Sequence, residues 1–262
     1  MLTTEQVNAY RERGFVLGGP VLNDEEVEML RSELDRVIRD WGDESKPQPV
    51  LLRNLSGKEE EPVWQIVNIW QASEPFRNLV YHPFIVESVF QLTDAQEIRV
   101  WHDQIQYKPS EKGGVNMWHQ DSPYWPILQP KDTQITAWVA LDDADVDNGC
   151  MFMVPGSHKW GVQIDFLHTL KHFDDMPSNF QGHAVEVVPC PVPKGWVHFH
   201  HPLTWHGSPA NRSGRPRRAI AIHYMTERTW YDSQGDHVMK PFVKVAHGEK
   251  LQGEHFPLVG KR

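Results

Sequence analysis

Gln134-Ile135-Thr136-Ala137-Trp138-Val139-Ala140-Leu141 is the stretch on which the fold turns. Its β-branched and aromatic side chains suit a pleated, half-buried surface, and turn-forming residues bound it. The same pattern recurs outward at 97–107, 150–154, 184–188, 196–200 and 218–225, with Gly, Pro, Asn or Asp between. Upstream the period changes to that of a helix. Thr4 is placed to cap a first helix whose Val7 and Tyr10 share a face and which Gly14 stops. Asn23 with Glu26 three residues on opens a second helix, and Val27, Leu30, Leu34, Val37, Ile38 and Trp41 keep a 3.6-residue period until Gly42. A third helix is predicted over about 74–91. Residues 43–62, polar and broken by Pro47, Pro49 and Gly57, read as a loop. Residues 159–182 have no clear period and read as a long loop near a barrel mouth, where lids are found. Helices followed by many short strands predict a mainly β fold with flanking helices, an antiparallel barrel or jelly roll. With no internal repeat and no linker, 1–262 reads as a single domain, its helices at about 1–42 and its barrel at about 95–230.

The 262 residues are 39% hydrophobic and 23% charged, enough to bury a real core. Lys and Arg number 26 against 35 Asp and Glu, a net −9 that argues against a nucleic acid or membrane partner and for a small-molecule substrate. The basic run Arg212, Arg215, Arg217 and Arg218 reads as a solvated turn containing one functional arginine. No apolar run reaches the roughly 18 residues of a spanning helix, and the amino end lacks the apolar segment of a secretion signal, so a cytoplasmic location is expected. Cys150 and Cys190, without CxxC spacing, give neither a disulfide framework nor a zinc site and fit a reducing compartment. The sequons at Asn54 and Asn211 read as chance. The acidic cluster Asp142, Asp143, Asp145 and Asp147 lacks the glycine and terminal glutamate of a calcium hand and reads as a loop. The 15 histidines and 11 tryptophans suit a ligand-binding, metal-using interior.

Trp118-His119-Gln120-Asp121 carries the chemistry. On a strand, positions i and i+2 share a face, so His119 and Asp121 can offer a nitrogen and an oxygen to one ion. They supply two ligands of a 2-His-1-carboxylate set, which leaves positions open for a cosubstrate and dioxygen on non-haem Fe(II). Four histidines, His198, His200, His201 and His206, compete for the third place. His206 is preferred because Gly207 and Ser208 let backbone approach a ligand and basic residues follow about ten positions on. An arginine fork there suits the far carboxylate of a dicarboxylate such as 2-oxoglutarate.

Together, His119-x-Asp121, His206-Gly207-Ser208, Asn211 and Arg217 resemble the phytanoyl-CoA dioxygenase family of Fe(II)/2-oxoglutarate oxygenases. Tyr107-Lys108-Pro109, Thr136 to Leu141, Asn148-Gly149-Cys150 and Val154 to His158 add to the likeness, which runs from the first helix to about residue 225. The resemblance implies a double-stranded β-helix, the jelly-roll or cupin-like barrel. It implies Fe(II) held by His119, Asp121 and His206, and 2-oxoglutarate paired with Arg217 and hydrogen-bonded by Ser208, with Trp138 walling the pocket. Gln104, on the strand before the metal loop, is the further cosubstrate contact, its neighbour Gln106 sharing its face. Relatives place an upstream lysine against the cosubstrate, whereas this chain reads Trp64-Gln65-Ile66-Val67-Asn68. Tyr124 and Trp125, just after the ligands, are the candidates for touching substrate. His102 and His158 read as ordinary polar residues.

The reaction implied is dioxygenase chemistry: O2 and 2-oxoglutarate are consumed, succinate and CO2 are released, and a C–H bond of a small organic molecule is hydroxylated. Asp121 leaves no ligand position vacant for a halide, which disfavours halogenation. Two rival readings are a cupin-like zinc or manganese enzyme using His198, His200 and His206 without 2-oxoglutarate, and a noncatalytic ligand-binding barrel.

Overall fold

The computed structural model describes residues 1–262. Its elements are α1 (Thr4–Arg13), β1 (Phe15–Pro20), α2 (Asp24–Arg39), β2 (Leu51–Asn54), β3 (Trp64–Val67), α3 (Ile69–Ala72), α4 (Glu74–Val80), α5 (Pro83–Thr93), β4 (Glu97–Lys108), β5 (Asn116–His119), β6 (Leu128–Gln129), β7 (Gln134–Ala140) and β8 (Met151–Met153). There follow α6 (Ile164–Leu167), β9 (Asn179–Phe180), β10 (His183–Ala184), β11 (Val188–Cys190), β12 (Trp196–His200), β13 (His206–Ser208), β14 (Arg217–Thr226), β15 (Trp230–Tyr231) and β16 (Leu258–Lys261). No helix is long and apolar enough to cross a membrane.

The capping chemistry sets the helix starts. Asn23 and Glu26 close a reciprocal box, each side chain accepting from the other's backbone N–H at 2.9 and 2.8 Å. In α1 the cap is Thr3, not Thr4, because Gln6 stands three residues after Thr3 and completes the same box. Val27, Leu30, Leu34 and Val37 of α2 are buried as their period requires, whereas Ile38 and Trp41 drift off the stripe and are exposed. The single helix predicted over 74–91 is two, since Pro83 cannot donate to the preceding turn and begins α5 afresh. The strands predicted at 97–107, 134–141, 150–154, 196–200 and 218–225 appear as β4, β7, β8, β12 and β14, while 184–188 divides between β10 and β11. The polar stretch 43–62 is not all loop: Leu51–Asn54 pairs with Trp64–Val67.

Two antiparallel sheets face each other as a jelly roll. The larger runs β1-β12-β7-β14-β4-β3-β2, with β16 also on β4, and the smaller runs β11-β8-β13-β5. Strand alternation divides the large sheet's side chains into two populations. Ile105, Val139, Ile220 and Ile222 point outward into one apolar core with Leu34, Phe76 and Val89 of the helices. Trp138, Ala140, Ala219 and Ala221 point inward, against Met151, Met153 and Cys190 of the small sheet. The inner row of β4, His102, Gln104, Gln106 and Lys108, lies opposite His223, Ala221, Ala219 and Arg217 of β14. The helical coat thus fixes which strand residues are left for the interior.

Leu34 is fully buried between helix and sheet, so Leu34→Ala is expected to cost about 2–5 kcal/mol of unfolding free energy in a urea titration. Ile38→Ala, one turn on and 37% exposed, is expected to stay within about 0.5 kcal/mol. Equal effects at the two sites would contradict the burial stripe assigned to α2.

Candidate active site

His119 ends β5 and His206 begins β13, and the two are directly opposed in the register of that pair, with ring centroids 4.1 Å apart. Asp121 does not reach them by strand alternation. The strand stops at His119, and Asp121 has helical backbone (φ −71°, ψ −54°) at the head of the short 3-10 turn Ser122–Tyr124, its N–H donating to the Pro202 carbonyl at 2.9 Å. That turn brings Oδ1 to 3.8 Å from His119 Nε2 and 3.5 Å from His206 Nε2. One donor atom from each of the three lies within 4.8 Å of the others.

The surrounding hydrogen bonds aim these donors. Nδ1 of His119 donates to the Met117 carbonyl (2.7 Å) and Nδ1 of His206 to the Thr204 carbonyl (2.9 Å), which leaves both Nε2 atoms facing the centre. Asp121 Oδ2 accepts from Thr136 Oγ1 (2.8 Å) and His200 Nε2 (3.0 Å), leaving Oδ1 for the centre. Burial works to raise the Asp121 carboxyl, but His206 and His200 outweigh it and hold it well below the usual range. Burial and then the neighbouring His206 push His119 down to about 3. Burial alone would lower His206, and the neighbouring Asp121 carboxylate more than reverses this, holding it above its ordinary value. Two imidazoles and a carboxylate on one side of a centre fit a metal that keeps its other positions for small ligands.

On one flank of this centre the protein buries cations with no counter-ion. Arg217 is 1% exposed, and all three of its guanidinium nitrogens lack a partner, as does Ser208 Oγ. Opposite it, Lys108 Nζ donates only to the carbonyls of Ser208 (3.0 Å) and Pro209 (2.5 Å). Burial pushes Arg217 down to about 10 and Lys108 well below its ordinary value. Such a pair is costly unless a carboxylate or similar anion completes it. Between Arg217 and the centre the inner row of β14 offers only Ala219 and Ala221, beside a narrow slot bordered by Trp138, Ser208 and Ala221; the Trp138 ring centroid lies 5.5 Å from the Arg217 guanidinium carbon.

On the other flank opens a cavity of about 660 Å³ that reaches His119 and Asp121. Its walls include Gln104, Gln106, Tyr124, Trp125, His102, His223 and His237. Gln106 also borders the slot, while Gln104 accepts a hydrogen bond from Gln65 (2.7 Å), which in turn accepts from Arg53 Nε (2.8 Å). Trp125 is buried and packs edge-on against His223, whereas Tyr124 is half exposed with its hydroxyl bound to His168. The expected mouth loop 159–182 contains α6, and Leu167, His168 and Leu170 wall the cavity.

Sequence reasoning gave His200 to a rival metal set. The structure gives it to Asp121 as a hydrogen-bond donor, and His198, His200 and His206 do not bring three donor atoms together. His102, read as an ordinary polar residue, lines the cavity. Its place two and four residues before Gln104 and Gln106 on one strand face was the signal that could have found it. Thr136 and Lys108 lay inside recognised motifs without a role. Asp142 holds Arg31 and Arg218, and Asp145 holds Arg215, so the acidic loop and the basic run pair with each other.

The family model described as phytanoyl-CoA dioxygenase (PhyH) matches residues 10–219. The peroxisomal phytanoyl-CoA dioxygenase of Bos taurus is 29% identical over 252 residues, covering 88% of this chain and 71% of that protein. Among solved structures, the non-heme alpha ketoglutarate dependent carbocyclase SnoK from nogalamycin biosynthesis is 30% identical, with a TM-score of 0.80 over 99% of this chain and 97% of its own. The epimerase SnoN, solved in complex with Fe3+, alpha ketoglutarate and nogalamycin RO, superposes with a TM-score of 0.76 at 24% identity, over 98% of each chain.

His102, His198 and His223 are buried and kept neutral by desolvation first, the first two well below their ordinary value and His223 at about 4. Once unfolded they bind a proton near pH 6.5, so between there and their folded values the unfolded chain holds more protons. Stability therefore falls as pH drops below about 6.5, approaching about 1.4 kcal/mol per pH unit for each histidine. Urea midpoints of the metal-free protein from pH 7.5 to 4.5 should show this slope. A flat profile would mean that these rings accept protons inside the fold.

Proposed function

The chain belongs to the phytanoyl-CoA dioxygenase family of iron- and 2-oxoglutarate-dependent dioxygenases, and from this we propose that it is a single-domain hydroxylase of a small organic molecule. His119, Asp121 and His206 hold the iron, and the far carboxylate of 2-oxoglutarate pairs with Arg217. The observation that carries this reading is Arg217 itself. A guanidinium almost without exposure and without a partner ends a row whose next inward residues are alanines, and a carboxylate is the group that would complete it.

The iron and cosubstrate, when bound, supply the oxidant that removes hydrogen from a substrate C–H, with succinate and CO2 released. The protein's part is position and charge. Thr136 and His200 fix one oxygen of Asp121 so that the other faces the metal. Ser208 donates its free hydroxyl to the cosubstrate tail, Trp138 walls it, and Gln104, which accepts a hydrogen bond from Gln65, is the further cosubstrate contact, with Gln106 on the same face. The buried wall of Trp125 and the half-exposed Tyr124 receive the substrate in this cavity. The free, buried Cys150 and Cys190 suit a cytoplasmic setting. One relative is named for phytanoyl-CoA and one solved neighbour for carbocyclisation; hydroxylation is the default outcome assigned here, and the carboxylate ligand Asp121 disfavours halogenation.

Purified protein with Fe(II), 2-oxoglutarate and O2 should form succinate, more so with a metabolite extract. Asp121→Ala should abolish turnover together with the visible band of the anaerobic Fe(II)/2-oxoglutarate complex. Arg217→Ala should raise the half-saturating 2-oxoglutarate concentration about 10- to 100-fold, the worth of a charge-assisted contact. Wild-type turnover by Asp121→Ala would overturn the metal assignment, and unchanged 2-oxoglutarate dependence in Arg217→Ala would overturn that of the tail.

A further inference from the structure

At the end of the inner row away from Arg217, His102 and His223 face each other across β4 and β14, with ring centroids 4.8 Å apart and planes at 71°. They are 2% and 1% exposed, both line the large cavity, and Nε2 of each is buried without a hydrogen-bond partner.

Their hydrogens can be placed by chemistry. His102 Nδ1 lies 3.2 Å from the Asp103 carbonyl, which only accepts, so Nδ1 carries the hydrogen. His223 Nδ1 lies 2.8 Å from Thr136 Oγ1. The single hydroxyl hydrogen of Thr136 goes to Asp121 Oδ2, and a carboxylate cannot return one. His223 Nδ1 must therefore donate to Thr136. Both rings consequently carry an Nε2 lone pair without a hydrogen-bond partner, on neighbouring rings. The rings are also held in place, for Trp125 packs against both edge-on and His237 stacks on His102 at 5.6 Å.

Two neighbouring buried acceptors suit a ligand that brings hydrogen-bond donors and disfavour one that brings only hydrocarbon. They sit beside the metal centre, since His223 Nδ1 is 4.0 Å from Asp121 Oδ2. We propose that His102 and His223 read a donor group on the substrate, next to the carbon that is oxidised. The substrate class is thus a molecule bearing a hydroxyl or amino group at that position. The proposal rests on the dioxygenase reading for the place of the reacting carbon, while the acceptor pair can be tested without turnover.

The test uses four probes of one ring size, 2-naphthol, 2-naphthylamine, 2-methoxynaphthalene and naphthalene, titrated against the metal-free protein by quenching of tryptophan fluorescence. In parallel, 15N spectra of histidine-labelled protein report the Nε2 resonances. Expected are tenfold or tighter binding of the alcohol and amine over the ether and hydrocarbon, and an upfield move of both Nε2 signals on naphthol binding. His102→Leu should erase the preference, and His102→Gln, which keeps an acceptor, should restore part of it. Equal binding of all four probes, or no binding of the alcohol at millimolar concentration, would overturn the proposal, as would Nε2 resonances showing an attached hydrogen in the free protein. Fe(II)/2-oxoglutarate band formation by His102→Leu is read separately. A normal band with no probe preference in the wild type sinks the acceptor pair alone, and loss of the band in the wild type sinks the dioxygenase reading.

Discussion

The antiparallel register between β4 and β14 is the constraint from which the site follows. It opposes Lys108 to Arg217, Gln106 to Ala219, Gln104 to Ala221 and His102 to His223, and strand alternation turns all eight inward. Six residues of strand at about 3.3 Å each set the two ends roughly 20 Å apart. The cation end and the histidine end are thus separate neighbourhoods on one rigid pair of strands. A slip of one residue would send Arg217 into the apolar coat and Ile220 into the slot, so the outward core of Ile105, Ile220 and Ile222 is also what keeps the site in place.

The two ends solve opposite electrostatic problems. At one end the buried Arg217 guanidinium is left short of an anion, which raises the free energy of the empty fold and lowers it again when a carboxylate arrives. At the other, burial keeps imidazoles neutral, so polarity there is a matter of lone pairs rather than charge. Between them, Asp121 holds His206 above its ordinary value, while His200 and Thr136 decide which carboxylate oxygen is spoken for. Selectivity for a dianionic cosubstrate and for a polar but uncharged group can therefore coexist in one interior.

Much of this was legible in the sequence. The β-rich segments, the box at Asn23 and Glu26, and the likeness carried by His119, Asp121, His206 and Arg217 are local patterns, and local patterns survive in a linear reading. What was hidden depends on partners distant in the chain. Leu51–Asn54 is a strand because Trp64–Val67 pairs with it, not because of its own composition. Asp121 reaches the centre through a turn tied to Pro202, a contact 81 residues away that alternation on a strand could not foresee. His102 looked ordinary because its meaning comes from His223, across the sheet and more than a hundred residues on.

The same geometry explains how one scaffold can admit different substrates without disturbing its chemistry. The large sheet carries Arg217 and Trp138, and β5 and β13 of the small sheet supply the two imidazoles; both sheets are pinned by backbone ladders. The substrate cavity borrows its remaining walls from β2, from the segment around α6 and from His237, elements held by fewer ladder bonds and, at Arg53 and Tyr124, open to solvent. Changes there alter shape and polarity without moving His119, Asp121, His206 or Arg217. The histidine pair stands at the border of these two regions. One ring is tied through Thr136 to Asp121 while its residue lines the large cavity, so a group bound beside it would be registered against the carboxylate of the proposed metal centre.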